Sequence, residues 1–347
     1  MIVYGKIINI KLKKSILFLT LQNNDICQVV IKKENLDYYL SFLDVGDVVS
    51  CEVVRDMNNN GKYKTNYKSY LLKRLNILSK NVKNFAIPVN IENVIAYSNI
   101  RYEIRKYLHR IGYIEVNLPV LTDGEISSKA ESFVTEYSKL KKRLYLRKTM
   151  DSFLRMYSCS GFNKIYSIGN CFRNEFLTSK YKPEFEMLSI FSNYINKNTA
   201  IKLSVKILKI ITSRNIKIKS VTESEYKQEN LEDDVFYVVS SYYDTNDSYC
   251  EKLHNKETNE FKIKFKNVTI VHGVSEICNY EEYLKKINEQ DRKNNYGELK
   301  VLENLINSGA SKCYNIGISI IRTLSLYNNL KIKDYDILSF DRLGGKK

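Results

Sequence analysis

The hydrophobic period changes once along this chain, and that change limits the folds open to it. Up to residue 78, apolar and β-branched residues come in short runs: IVYGKIINIKL, SILFLTLQ, ICQVVIK, DVVSCEVVRDM and YKSYLLKRLNIL. Each run has strand length and is bounded by turn formers, among them Asn23-Asn24-Asp25 and Asn58-Asn59-Asn60-Gly61. LSFLDVGDVVSCEVV reads as a short helix followed by a Gly-Asp turn into a strand, an element that closes a small barrel. Five strands in so short a stretch fit an OB-fold, a barrel often used for oligonucleotides, and equally any other small β-barrel.

Asn81 to Pro88 is polar and ends in proline, so it reads as a linker. The expected division is a barrel domain over 1–80, a linker over 81–90 and a second domain over 91–347. Beyond the linker the period becomes helical. Ile100, Ile104, Leu108 and Ile111 recur with Arg and Lys between them, and Gly112 ends the helix. YIEVNLPVL, LYLR, KIYSIG, MLSIFSNY and VTIVHGVSEI read as strands. Helices are expected over 151–160, 198–212 and 281–308, while 216–266 is polar and weakly patterned. This order predicts an α+β fold with a mostly antiparallel sheet flanked by helices, without the βαβ alternation of a doubly wound sheet.

Composition narrows the function classes. At 347 residues and 44% hydrophobic content the chain can bury an ordinary core and is too apolar to be disordered. No apolar run approaches the roughly 20 residues of a membrane helix, and MIVYGKIINIKLKK lacks the apolar region of a signal peptide, so no membrane is expected as partner. Seven cysteines without a CxxC pair and three histidines argue against structural zinc and fit a reducing, cytoplasmic setting. The 55 Lys+Arg against 39 Asp+Glu give +16, which favours a polyanionic partner. AT-rich codon usage explains the abundance of Lys, Asn, Ile and Tyr equally well.

The chemistry concentrates in CFRNEFLTSKYKPEFEML, residues 171–188. Two strands flank a polar, basic loop that could close over a ligand. Arg173 could hold a phosphate bidentately, Glu175 could accept from an amine or amide, and Phe185 could stack on a base. The same pattern also describes a plain surface hairpin with one ion pair.

This segment resembles motif 2 of the class II aminoacyl-tRNA synthetases, roughly FRNE…PEFTMLE. NIRYEIRKYLHRIGYIEVNLPVL resembles motif 1 (near 97–121), the helix and strand of the family's dimer interface, with its proline at Pro119. GISIIRTLSL resembles motif 3 (near 314–328), with Arg322 at the arginine position, and KIKDYDILSFDRL resembles the family's closing segment. VHGVSEI resembles the strand that bears a magnesium-binding glutamate, here Glu276. An OB-fold ahead of motif 1 marks the lysine, asparagine and aspartate subgroup.

The resemblance implies ATP and Mg²⁺ as cofactors, an amino acid and tRNA as partners, and a homodimer. Arg173 would hold the ATP α-phosphate and stabilise the charge developing there. Phe185 would stack on adenine, with Arg322 on its other face or on the γ-phosphate. Glu276 would ligate Mg²⁺. Asp151, Glu175 and Arg147 would form the amino-acid set, and Phe18 and Gln28 would read the central anticodon base, a uridine. No side-chain nucleophile is required.

LYLRKTMDSFLRMYSCSGFNKIYSIGNCFRNE aligns without gaps to the corresponding run of the lysine enzymes. Asp151 falls at their Glu, and a carboxylate there suits a cationic amine. Leu154 stands where the aspartate enzymes have lysine. Lysine is therefore the first expectation and asparagine the next. The chain also departs from the family. Motif 3 keeps only Gly317, with Asn315 and Ser319 at glycine positions and Ile321 at the acid position. Tyr181 stands where a loop histidine is common, Ser189 replaces a glutamate, and Ser127-Ser128-Lys129 replaces a substrate loop. Tyr283 occupies the place of the second metal acid, beside Glu281 and Glu282. These departures leave room for a paralogue that activates an amino acid for a non-tRNA acceptor or for amidation, or that only binds RNA.

Overall fold

The computed structural model describes residues 1–23, 25–32, 36–55, 68–81, 91–124, 130–176, 182–228, 231–240, 242, 250–251, 253, 257–290 and 297–335. The chain divides into two compact units, Met1–Pro88 and Val89–Lys347.

The first unit holds β1 (Ile2–Lys13), β2 (Ile16–Gln22), β3 (Ile26–Lys32), α1 (Leu36–Phe42), β4 (Val48–Arg55) and β5 (Lys68–Ser79). The strands close into a barrel in the order β1-β2-β3-β5-β4, with only β3 and β5 running parallel. A period of two sends Leu17, Leu19 and Leu21, Val29 and Ile31, and Val49, Cys51 and Val53 inward. The predicted OB-type barrel is therefore present. Its Gly-Asp turn is built tightly: Gly46 has φ +103°, and a Cβ there would lie 2.2 Å from the Asn81 side chain. The buried Asp47 carboxylate accepts the Asp44 amide, the Asn81 amide and the Lys80 ammonium, each at 2.8 Å. Burial opposes its charge, but these donors outweigh burial and hold its pKa below the ordinary carboxylate value.

The second unit opens with α2 (Ile91–Arg110), β6 (Ile114–Glu115), β7 (Leu121–Thr122), β8 (Val134–Tyr137), β9 (Lys142–Leu146) and α3 (Asp151–Cys159). It continues with β10 (Lys164–Phe172), β11 (Glu184–Asn193), α4 (Lys197–Thr212), β12 (Lys217–Thr222), α5 (Glu223–Gln228), β13 (Val235–Ser240) and β14 (Glu260–Phe265). β15 (Val268–Ser275), α6 (Tyr280–Gln290), α7 (Gly297–Asn307), β16 (Cys313–Ile318) and α8 (Ile320–Asn328) complete it.

An eight-stranded sheet runs β12-β13-β14-β15-β16-β11-β10-β6, and β7-β9-β8 form a small separate sheet. Pairing is antiparallel except for β12 with β13 and β10 with β6. One face of the large sheet buries Leu188, Ile190, Phe261, Ile263, Val271, Ile316 and Ile318 against Ile104 and Leu108 of α2, Ile207 and Ile211 of α4, and Leu324 of α8. The opposite face carries the candidate site.

Three expectations change. The polar stretch 216–266 supplies β12, α5, β13 and β14, because lysines alternate with apolar residues in KIKSVT and EFKIKF and hide the strand signal. The single helix expected over 281–308 is two helices, α6 and α7. YIEVNLPVL pairs only at β6 and β7. Residues 82–90 of the linker, the loop with Ser127–Lys129, Tyr181 and the closing segment beyond 335 lie outside the described residues.

Candidate active site

The open face of the large sheet is ordered by strand register. Lys262, His272, Gly317, Ser189 and Ser167 stand in one row across β14, β15, β16, β11 and β10. Gly317 leaves this row low, since a Cβ there would lie 3.4 Å from Met187 Cε.

At one end of the groove the β10–β11 hairpin sets Cys171 opposite Phe185. Arg173 follows β10 directly, and its guanidinium carbon lies 5.2 Å from the centroid of the Phe185 ring. The Arg173 amide donates to Pro183 O at 2.8 Å and the Asn174 amide to Glu131 O at 2.9 Å, so backbone bonds lock the turn. Arg322 is half-buried in the first turn of α8. Glu175 is exposed beside Arg173. Asp151 begins α3 and accepts from Thr149 Oγ1 at 2.6 Å. Burial, with the Asp151 charge added, pushes the Cys171 thiol up to about 12.

Arg147 corrects an expectation. It is 4% exposed, donating from Nε to Asn170 O at 2.8 Å and from Nη1 to Leu118 O at 2.8 Å and Pro119 O at 3.0 Å. Three of its five N–H groups thus hold backbone, so it pins the Leu118–Pro119 turn to β10 instead of standing open to an amino acid.

Glu276 lies at the other end of the groove. Its amide donates to Cys313 O at 3.0 Å, and its Oε1 accepts from Asn315 Nδ2 at 3.1 Å. Buried Arg155 donates to Ile277 O at 2.7 Å and contacts Cys313 Sγ, near enough to Glu276 to feel its charge. Asn193 is in register with Cys313, and Phe185 comes eight residues before Asn193 on β11. At about 3.3 Å per residue that separates Glu276 from Phe185 by roughly 26 Å along the strands. The structure therefore brings Arg173 to Phe185 and keeps Glu276 away from both. The Tyr283 ring is buried among Ile277, Leu302 and Ile306. Among the described residues no cluster of three metal-binding side chains exists. The expected Mg²⁺ ligation at Glu276 does not fit this donor set.

Sequence reasoning also passed over a cluster on β14 and β15. Glu260, fully buried, lies 2.6 Å from His272 Nε2, 3.6 Å from Lys262 Nζ and 3.1 Å from Thr258 Oγ1. Burial opposes its charge, but the His272 hydrogen bond and the His272 and Lys262 charges hold its pKa below the ordinary value. The alternation of EFKIKF was the available signal, since it sends Glu260, Lys262 and Lys264 to one face.

On the barrel, Phe18 pairs with Val30 and Gln28 with Thr20. Their parity is opposite to that of Leu17, Leu19 and Leu21, so Phe18 and Gln28 are diagonal neighbours on the other side of the strands, with Lys11 in register with Phe18; Phe18 is nonetheless buried, at 6% exposed, and Gln28 half-buried.

A five-stranded closed barrel followed by a helix-backed mixed sheet makes this an α+β chain. Residues 78–236 match the family model described as tRNA synthetases class II (D, K and N). That match covers just under half of the chain, and it is the group for aspartate, lysine and asparagine that this chain is similar to. It is 28% identical over 221 residues to a lysine–tRNA ligase of Saccharolobus solfataricus, covering 61% of this chain and 38% of that protein. To the lysine–tRNA ligase of Wigglesworthia glossinidia brevipalpis it is 25% identical over 287 residues, covering 75% of this chain and 57% of that protein. To that of Ureaplasma urealyticum it is 29% identical over 208 residues, covering 54% and 42%. The chain spans about half the length of these relatives, or less.

Proposed function

We propose that the chain activates an amino acid with ATP as an aminoacyl adenylate and transfers it to tRNA, with lysine the first candidate and asparagine the next. The observation that carries this reading is the stacking of Arg173 on Phe185 at the end of the β10–β11 hairpin. Arg173 over Phe185 suits a nucleotide: the ring offers a face to adenine, and the guanidinium stands where an α-phosphate would follow. Asp151 and Glu175, near the nucleotide end, suit the amino groups of a cationic amino acid.

In the reaction the amino-acid carboxylate attacks the α-phosphorus, and pyrophosphate leaves with the electron pair of the broken P–O bond. Charge builds on the non-bridging oxygens, where Arg173 would neutralise it and Arg322 would hold the departing phosphates. No thiol is called on, in keeping with Cys171 and Cys313, both pushed up to about 12 by burial. Adenylate chemistry in this family generally involves Mg²⁺, which screens phosphate charge.

The barrel face with Phe18, Gln28 and Lys11 supports tRNA recognition through a stacked, hydrogen-bonded base. Ile95 and Tyr102 of α2, then Ile114, Pro119, Val120 and Leu121, are exposed, an apolar surface that supports a homodimer through the motif 1 segment. Among the described residues no helix is long and apolar enough to cross a membrane, and a cytoplasmic location is part of this proposal.

The test is ATP–pyrophosphate exchange with each of the twenty amino acids, followed by charging of total tRNA. Exchange with lysine alone is expected. Exchange without charging would move the acceptor away from tRNA, and silence with all twenty would end the adenylate reading.

A further inference from the structure

We propose that this chain holds the phosphate tail of its nucleotide with the side-chain cations of β14 and β15, Lys262, Lys264 and His272, instead of through a divalent cation held by carboxylates. The inference rests on the adenylate reading above and concerns how the same groove neutralises phosphate. Three observations carry it.

The carboxylates first. On the open face of β14, β15 and β16 the acids are Glu260 and Glu276, and both are engaged. Glu260 is enclosed by His272, Lys262 and Thr258. Glu276 takes the Asn315 amide, lies near Arg155, and stands roughly 26 Å along the strands from Phe185. A hard cation needs several oxygen ligands at once, and among the described residues no group of three or more His, Cys, Asp or Glu side chains could hold one.

The cations are placed where those acids are missing. Lys262 is in register with His272, and His272 with Gly317 at the low point of the groove. Lys264 is in register with Thr269, further toward the end where Arg173 and Phe185 lie. One strand spacing is about 4.8 Å, so a lysine on β14 can reach over β15 toward β16.

Both lysines are also pre-set. Lys262 Nζ lies 4.2 Å from the centroid of the Tyr242 ring and Lys264 Nζ 4.4 Å from that of Tyr226. Glu260 is shared between Lys262 and His272, and Glu223 forms an ion pair with Lys227 at 3.1 Å, so positive charge is left over on this face. Burial, with the neighbouring Lys262 charge added and the Glu223 charge opposing, holds the Lys264 pKa below its usual value.

The experiment measures binding of ATP, AMP and pyrophosphate to the full chain by calorimetry, with Mg²⁺ and with EDTA. Removing Mg²⁺ is expected to change ATP affinity by less than about threefold. Lys262→Ala and Lys264→Ala should each weaken ATP and pyrophosphate about tenfold or more, the value of a charge-assisted hydrogen bond. Both variants should leave AMP binding as in the wild type, which also shows that they fold, and Lys262→Arg should restore most of the loss. ATP binding that collapses in EDTA while both alanine variants bind like wild type would overturn the proposal and leave the adenylate reading standing. Equal weakening of ATP and AMP would also overturn it, by assigning the lysines to the fold. A wild-type chain that binds neither nucleotide under either condition would remove both.

Discussion

Asn315 Nδ2 donates to Glu276 Oε1 at 3.1 Å across β16 and the end of β15, in a pocket from which both side chains are almost fully screened from water. Burying a carboxylate is costly unless hydrogen bonds and nearby positive charge offset it, and Asn315 and Arg155 supply both here.

Replacing Glu276 by Gln should therefore act on the buried pair and not on the nucleotide. The variant is expected to lose about 1–3 kcal/mol of stability in urea melts, since the Asn315 amide loses a charged acceptor. ATP affinity measured directly should stay within about twofold, because the residue stands far along the strands from Phe185. Loss of ATP binding in Glu276→Gln would place the carboxylate at the phosphates after all.

Arg173 presents a planar fork above Phe185, so lysine cannot replace it in kind. Arg173→Ala should lower the exchange rate about 10²- to 10³-fold, the usual effect of removing a group that stabilises developing charge. Arg173→Lys should recover only a small part. Full activity in either variant, read by the same assay, would remove Arg173 from the reaction.

On the barrel, parity separates recognition from stability. Leu19 points into the core, and Leu19→Ala should cost about 2–5 kcal/mol in unfolding of the first unit. Phe18, of opposite parity and 6% exposed, is the proposed base platform, and Phe18→Ala should weaken tRNA binding by about 1–3 kcal/mol. Unchanged tRNA affinity in a titration at fixed salt would deny the barrel its role in base recognition.

Asp47 makes the first unit sensitive to acid. Its folded pKa lies below its unfolded value, so the stability it contributes is fully present above the unfolded carboxylate range and is lost as pH falls through the folded value. Asp47→Asn should be less stable by about 1–3 kcal/mol at neutral pH, since three donors lose a charged acceptor. The gap to wild type should close below about pH 4, as shown by urea melts across a pH series.

What the sequence by itself determined is local. Alternation in SILFLTLQ and ICQVVIK decides which side chains enter the barrel, and CFRNE with PEFEML sets Arg173 and Phe185 on the two arms of one hairpin, close in sequence as in space. The strands of 216–266 escaped notice because their lysines, which lie on the groove face, look like a polar stretch until a sheet gives them sides. Only the tertiary structure decided that Glu276 meets Asn315 and Arg155, residues 39 and 121 positions away by subtraction of their numbers, and that it stands apart from Phe185. It likewise decided that Lys262 shares a row with His272 and Gly317. The reason is register. A residue's type sets which way it points along its own strand, but its neighbours depend on how distant strands slide past one another, and one residue of slip exchanges the faces of a sheet. That choice is made by the whole core at once, not by any segment of it.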